Sequence, residues 1–244
     1  MQRHELKAHL RDEHGITSMQ ENLRQIVYGG NDGIVTTFAI VASFVGAGAE
    51  GAAQIGALAV LLFGLANLFA DATSMGLSEF LSHRSERDIY RATRKRELEL
   101  LKSNPDGEFA EAVQLLQRRG VSNSDALAYA DLLERNPQLM ADFMMRYEFD
   151  MGHTDSSSGI REGIFTFGAF ILFGVVPLIP YFLLEPDDAA FRLSALGTFG
   201  ALTALGLLRW YATRERLMRC VGETVLVGGI CAIVAYTVGV IVGG

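Results

Sequence analysis

The sequence predicts an all-α membrane protein with five transmembrane helices and a small cytosolic helical domain inserted between spans two and three. Charged residues are nearly absent from five long apolar runs, and they crowd into the N-terminal segment and one middle block. A hydrocarbon core about 30 Å thick requires about 20 predominantly apolar residues of helix. The five runs cover residues 33–49, 55–82, 163–184, 189–208 and 224–244.

The last three runs predict the clearest spans. The third and fifth runs contain no charged residue, and the fourth holds only Arg192 near its start, where a long side chain reaches the membrane surface. A short loop around Glu50 and Gly51 separates the first two runs. We therefore expect transmembrane helices 1 and 2 within residues 28–82 and helices 3 to 5 within residues 161–244.

The segment before the first span, residues 1–27, predicts an amphipathic helix at the membrane surface. Its mixed charge argues against a cleavable signal peptide. Three histidines recur every five residues and therefore spiral around the helix instead of sharing a face, which disfavours a common metal site: His4, His9 and His14. Apolar residues keep helical spacing at Met19, Leu23, Ile26 and Val27.

The middle block, residues 83–160, predicts a cytosolic domain of short helices. Span two continues into it as a helix, and Ser122 or Ser124 is placed to cap the third helix of the block. The fourth helix carries the stretch DFMMRYEFDM. The predicted breaks lie at residues 104–107, at Gly120 and at residues 136–137, the second helix covers residues 108–119, and the fourth helix ends near Gly152.

Lysine and arginine flank the spans unevenly, which predicts the orientation. Arg24 precedes span one, a basic run follows span two, and Arg161 precedes span three. We therefore expect an integral membrane protein whose N-terminus and middle domain are cytosolic, in the plasma membrane of a bacterium or the vacuolar membrane of a eukaryote. Nothing in the charge pattern indicates nucleic-acid binding. The opposite loops hold Glu50, Glu185, Asp187 and Asp188.

Ionisable side chains inside the predicted spans are candidate functional groups, because charge is costly to bury in a bilayer. Asp32 lies in YGGNDGIVTT at the mouth of span one. Asp71, Met75 and Glu79 follow one another at steps of four in span two, so they form one stripe on a helix face. Carboxylates alternating with a thioether suit a late divalent metal. The alternatives are that Met75 only packs and that Glu79 binds Arg84 or water.

The middle domain carries a second candidate set. Glu148 follows Met144 by four residues and Met145 by three, so the three side chains can share one face of a helix. Because methionine and aromatic residues at such spacing usually form a core, simple packing is the alternative to a metal site. The full candidate set is Glu97, Glu99, Glu108, Glu111, Met144, Met145 and Glu148.

Three strings, GGNDGIVTT, ATSMGLSEFLSHRSE and NPQLMADFMMRYEFDM, resemble the vacuolar iron transporter family in this order over nearly the whole chain. The third string is specific to members with a cytosolic metal-binding domain. The resemblance implies a homodimer of five-span subunits that moves Fe²⁺ out of the cytosol against protons. It also implies that Asp32 and Met75 are ligands of the translocation path. The domain's metal ligands would be Glu97, Glu108, Glu111, Met144, Met145 and Glu148.

One position departs from the family pattern. A glutamate is expected three residues after Glu97, where this sequence has Leu100. Glu99 is adjacent, but it points about 100° away from that position on a helix. Either Glu99 substitutes through a shifted register or the domain holds fewer ions.

We therefore predict a secondary transporter, not an enzyme, that carries Fe²⁺, with Mn²⁺, Co²⁺ and Zn²⁺ as further candidates, and uses no organic cofactor. Its predicted partners are metal ions, the lipid bilayer and a second copy of the chain. The alternatives are a membrane-anchored iron sensor or buffer and a di-iron oxidase. A di-iron bundle requires two Glu-x-x-His motifs, and this sequence contains none. The stripe of Asp71, Met75 and Glu79 argues against a plain anchor.

Overall fold

A computed structural model describes residues 18–46, 53–152, 158–184 and 187–243. Within these ranges the chain is helical and contains no strand, which confirms the predicted all-α class. The three N-terminal histidines and the loop at Glu50 lie outside the described residues, and so does most of the predicted surface helix.

Ten α-helices are found in the described residues. The first is a single turn, α1 (Ser18–Glu21), and α2 begins directly after it at Leu23, so the last residues of the predicted surface segment form the first turn of α2. The other helices are α2 (Leu23–Gly46), α3 (Ala53–Ser103), α4 (Pro105–Arg118), α5 (Asn123–Glu134), α6 (Pro137–Tyr147), α7 (Ser158–Gly174), α8 (Ile179–Leu183), α9 (Asp188–Thr213) and α10 (Leu217–Gly243), with a 3₁₀ turn at Val176–Leu178.

The helices form two compact units. The first unit comprises the described residues up to Phe80 and from Ile160 onward, and the second comprises those from Leu81 to Gly159. The long helix α3 contributes to both units.

Four helices of the described residues are long and apolar enough to cross a membrane. Helix α2 is not among them, so the count of five spans stays a prediction. The 46 residues of the α3 segment would reach roughly 69 Å, more than twice the thickness of the hydrocarbon core, so only part of it can cross. The charged part from Leu81 onward belongs to the second unit. The four segments are Leu58–Ser103, Gly159–Leu183, Asp188–Thr213 and Leu217–Val242.

Close helix crossings in the first unit depend on glycine. A Cβ atom added at Gly29 of α2 would lie 2.5 Å from the carbonyl oxygen of Thr166 in α7, and one added at Gly33 would collide with the backbone of Phe170. Gly163 of α7 meets α3 in the same way, because its Cβ atom would lie 2.5 Å from a backbone oxygen. These crossings bring α2, α3 and α7 together, while α9 and α10 pack on α2.

The third span contains a break that the hydropathy pattern did not predict. Residues 163–184 were expected to form one helix, but α7 ends at Gly174 and a 3₁₀ turn leads into α8. Pro177 lies inside the turn and Pro180 lies in the first turn of α8. Proline cannot donate a backbone hydrogen bond and clashes with the preceding turn, so the helix is interrupted there.

The second unit has the helix boundaries that its turn residues predict, with two shifts. The side chain of Ser122 accepts a hydrogen bond from the backbone of Asp125, which confirms it as a cap, and Gly120 has a positive φ of 87°. The second helix begins at Pro105 instead of residue 108, since proline suits the first helical position. The fourth helix ends at Tyr147, well before Gly152, and leaves Glu148 at its C-terminus.

The second unit has its own apolar core. Helices α4, α5 and α6 surround it, and Met140, Phe143 and Met144 contribute from α6. Opposite this core, α3 is tied to α6 by Arg94, whose Nε donates to a carboxylate oxygen of Asp142 at 2.8 Å. The unit therefore holds α3 against the helix that carries the candidate methionines.

Candidate metal sites in the two units

Four glutamates of the second unit form one electrostatic group. Glu97 comes from α3, Glu108 and Glu111 come from one face of α4, and Glu148 lies at the end of α6. Glu97 is only 2% exposed, Glu108 is also buried, and the Oε1 atom of Glu97 has no hydrogen-bond partner in the described part of the chain. A buried carboxylate oxygen without a donor requires a proton or a cation to offset its desolvation.

The electrostatics of this group favour protonated carboxyls when no metal is bound. Burial raises the pKa of Glu97 to about 8, assisted by a hydrogen bond with the Glu108 carboxyl and by the negative charges of Glu108, Glu148 and Glu111. Glu148 is exposed, but partial desolvation of its carboxyl raises its pKa to about 7, and the charges of Glu111 and Glu108 add to the effect. At neutral pH the group therefore carries protons that a divalent cation would displace.

The four carboxylates of this group do not form a tight cluster. Among the described residues of the second unit, no three carboxylates each place an oxygen within 4.8 Å of the others. Glu97 and Glu108 are the pair in direct contact. A metal ion would thus have to draw Glu111 and Glu148 inward.

The two candidate methionines occupy different surroundings. Both are fully buried, but Met144 packs within the apolar core of α4, α5 and α6, whereas Met145 is not part of that core. The backbone N–H of Glu148 donates to the carbonyl of Met144 at 2.9 Å, so the carboxylate follows the methionines by one turn. The packing alternative therefore applies to Met144, and Met145 is the better candidate thioether ligand.

The structure does not bring Glu99 into the group. Its side chain is exposed, and it is not among the charges that act on Glu97. Two residues along a helix correspond to a rotation of about 200°, so Glu97 and Glu99 face nearly opposite directions. Leu100, which replaces the expected glutamate, is 40% exposed. A ligand role for Glu99 stays a prediction.

Asp32 lies in the middle of α2 and lines a cavity of about 890 Å³ in the first unit. The hydroxyl of Thr36 donates to the backbone carbonyl of Asp32 at 2.8 Å, which leaves the carboxylate for other partners. Arg24 and Asn31 of α2 also line this cavity, together with Arg209 of α9 and Glu223 of α10, which form a salt bridge at 2.8 Å.

The side chains of the stripe on α3, Asp71, Met75 and Glu79, contact other residues of the first unit. Asn67 donates to Asp71 at 2.7 Å, and Asp71 in turn interacts electrostatically with Asp32 of α2. Met75 packs against the cluster formed by Leu68, Ala72 and Phe170, as the packing alternative predicts.

One turn further along α3, Glu79 accepts a hydrogen bond from Gln25 Nε2 of α2 at 3.0 Å. The structure therefore brings α2 and α3 together along their polar faces.

Sequence reasoning missed Gln25 and Asn67. Gln25 precedes Asp32 by seven residues, two turns of helix, and this spacing is the signal that could have placed both on one face. Asn67 precedes Asp71 by four residues and extends the α3 stripe by one turn.

The comparison with known protein families decides the family. The model of the VIT family matches residues 23–240 of this chain. The chain belongs to the VIT family. This confirms the resemblance carried by the three sequence strings, and the match includes both α2, with Asp32, and the second unit.

Relatives of this VIT-family chain include proteins named vacuolar iron transporters. It is 32% identical over 216 residues to vacuolar iron transporter 1 of Arabidopsis thaliana, covering 88% of this chain and 84% of the relative. It is 31% identical over 244 residues to a vacuolar iron transporter of Plasmodium falciparum, covering 96% of this chain and 87% of the relative. The spanning helices and the family together identify an integral membrane protein.

Proposed function

We propose that this VIT-family protein transports Fe²⁺ out of the cytosol in exchange for protons. The observation that carries the proposal is the glutamate group of the second unit, in which a buried Glu97 oxygen without a hydrogen-bond partner lies beside Glu108. Such a group binds either protons or a divalent cation, and membership of a family with relatives named vacuolar iron transporters supports iron as that cation.

The second unit collects the ion from the cytosol in this proposal. Glu97, Glu108, Glu111 and Glu148 supply hard carboxylate oxygens, and Met145 supplies a soft thioether. This mixture suits a borderline ion such as Fe²⁺ and accommodates Mn²⁺, Co²⁺ or Zn²⁺ as further cargo. Each binding event releases protons, because the carboxylates must be deprotonated to act as ligands.

The first unit provides the path across the bilayer. Asp32 of α2 and Met75 of α3 bind the ion in transit, and Asp71 and Glu79 extend the path on either side of Met75 along the same helix face. Five spans, a cytosolic second unit and a homodimer complete the proposal. The orientation is supported by the arginine-rich ends of the spans.

Transport is tested with the full-length protein in liposomes that contain a metal-quenched dye and a pH dye. We expect external Fe²⁺ to quench the first dye while protons move in the opposite direction, and an imposed pH gradient to accelerate the flux. Iron entry without proton movement would contradict the exchange mechanism. Tight Fe²⁺ binding without any flux would instead identify a sensor or buffer.

A further inference from the structure

In the first unit, one carboxylate of the proposed path lies beside a second carboxylate that the path does not include. Glu79 near the end of the apolar part of α3 and Glu162 in the first turns of α7 place carboxylate oxygens within 4.8 Å of each other. Both side chains are half-buried. Carboxylate oxygens this close together can bind one divalent cation in common.

A third polar group points at this pair. Gln25 of α2 is only 5% exposed, and its Nε2 donates to an Oε1 atom of Glu79 at 3.0 Å. The Oε1 atom of Gln25 has no hydrogen-bond partner in the part of the chain that the structure describes. Because both atoms belong to one planar amide, this unsatisfied oxygen lies beside the Glu79 carboxylate, and rotating the amide by half a turn would direct it at a cation there.

We propose that Glu79, Glu162 and Gln25 form a divalent-cation site in the first unit, distinct from the glutamate group of the second unit. Three helices each contribute one oxygen ligand, and a bound cation would satisfy the buried Gln25 oxygen. Arg161, the cation next to Glu162 in sequence, is held by Glu21 at 3.2 Å.

The position of this site suggests its role in transport. Glu79 follows Met75 by one turn, roughly 6 Å along α3, and Gln25 precedes Asp32 by two turns, roughly 10 Å along α2. The site therefore lies on the same helix faces as the proposed path ligands, at the end where the apolar run of α3 stops. An ion bound there would need only one further step to reach Met75.

The ligand chemistry also differs from that of the path. Oxygen ligands alone favour hard and borderline divalent ions such as Mn²⁺ and Fe²⁺ and do not select for soft metals. A site of this kind binds divalent ions because of their charge. The thioether of Met75 then favours the softer ions among them. This assignment rests on the proposed function for its iron cargo, while cation binding itself can be measured without transport.

The test counts Mn²⁺ bound to the full-length protein in detergent, by the electron paramagnetic resonance of free Mn²⁺. The background carries Glu97→Gln, Glu108→Gln, Glu111→Gln and Glu148→Gln, which remove the carboxylates of the second unit. We expect Glu162→Gln to abolish one bound Mn²⁺ or to weaken it about tenfold or more. Glu215→Gln, at an exposed loop residue of the first unit, is the matched control and leaves the count unchanged.

A second variant guards against loss of binding through misfolding. Gln25→Glu supplies a third carboxylate, so we expect Mn²⁺ to bind more tightly, and a gain of affinity cannot arise from an unfolded protein. Unchanged Mn²⁺ binding in both Glu162→Gln and Gln25→Glu would overturn the site. If wild-type Fe²⁺ flux persisted in that case, the proposed transport would stand. If the wild type showed no Fe²⁺ flux but Mn²⁺ binding changed in both variants, the cation site would stand and the proposed transport would be wrong.

Discussion

The two units hold their carboxylates in different ways. In the second unit, Glu97 and Glu108 are buried against each other, and the Glu97 oxygen lacks a donor. In the first unit, Asp71 accepts a hydrogen bond from Asn67, and Glu79 accepts one from Gln25. We expect a group of buried carboxylates that repel one another to bind a cation more strongly than single carboxylates whose charge is partly compensated by amide donors. Collection requires strong binding, while passage requires that the ion leave again.

The largest effect is expected from removing the carboxylate of Asp32 in the proposed path while keeping the glutamate group of the second unit. Asp32→Asn keeps the size of the side chain and removes its charge, so we expect Fe²⁺ flux into liposomes to fall below detection. Fe²⁺ binding by the second unit should stay unchanged, since none of its ligands is altered. Glu134→Gln, an exposed position on α5, is the control. Retained proton-driven flux in Asp32→Asn would refute the role of Asp32.

The next largest effect is the pH dependence of Fe²⁺ binding to the second unit. The raised pKa values, about 8 for Glu97 and about 7 for Glu148, mean that both carboxyls take up protons as the pH falls from 8 to 6. Because the metal must displace these protons, its apparent affinity should fall on the order of 100-fold over that window. Anaerobic Fe²⁺ titration of the full-length Asp32→Asn variant measures it.

The same shifts have the opposite sign for the stability of the metal-free second unit. A carboxyl with a raised pKa binds more protons in the folded state than in the unfolded chain, so stability is greatest at low pH and declines as the pH rises towards 8. The hydrogen-exchange protection factors of α4 and α6 without metal, which are corrected for the base-catalysed intrinsic rate at each pH, should therefore fall between pH 6 and 8. Glu97→Gln should reduce this fall. Protection factors that do not change with pH in the wild type would show that the repulsion is absent.

The first unit can also be disturbed through its helix crossings, without removing any charged side chain. Gly33→Ala adds a methyl group that collides with the α7 backbone at Phe170, and overpacking of this kind costs about 1–3 kcal/mol. We expect a lower midpoint of thermal unfolding in detergent and reduced flux. Gly168→Ala is the matched control, because a methyl group there meets no atom within 4 Å. Equal effects of both substitutions would argue against the crossing.

Among the ligands of the second unit, the two methionines are expected to differ. Met→Leu preserves apolar volume but removes the sulfur atom, and such exchanges usually cost less than about 1.5 kcal/mol. We expect Met145→Leu to weaken Fe²⁺ binding roughly threefold to tenfold, and Met144→Leu to leave it nearly unchanged. Anaerobic titration with Fe²⁺ and with the harder ion Mg²⁺ distinguishes the loss of a thioether from a general disturbance. Equal losses for both variants would return Met144 to the ligand set.

The sequence was sufficient for the helices and insufficient for their contacts. Ser122, Gly120 and the proline-containing breaks determine the helices of the second unit, because capping and turn chemistry act over a few residues. The early end of α6 and the break at Pro177 were not predicted, because both depend on the path that the chain takes after each helix.

The same distinction holds for the candidate sites, where individual residues could be predicted from the sequence but their contacts could not. Glu97 and Glu108 were recognisable as candidate ligands from the family resemblance, but their mutual burial was not, because it depends on packing between α3 and α4. The spacing of Gln25 from Asp32 could have placed it on the same helix face, but its hydrogen bond to Glu79 depends on how α2 packs on α3.

The smallest effect is expected at Glu99, next to Leu100, where the sequence departs from the family pattern. Glu99 is exposed and faces away from Glu97, so it is screened by water and outside the charge group. We therefore expect Glu99→Gln to change Fe²⁺ affinity and stoichiometry less than about twofold, whereas Glu111→Gln should reduce both. Leu100→Glu should add the missing carboxylate and increase the number of bound ions. A loss of one ion in Glu99→Gln would show that metal binding rotates α3 and recruits this side chain.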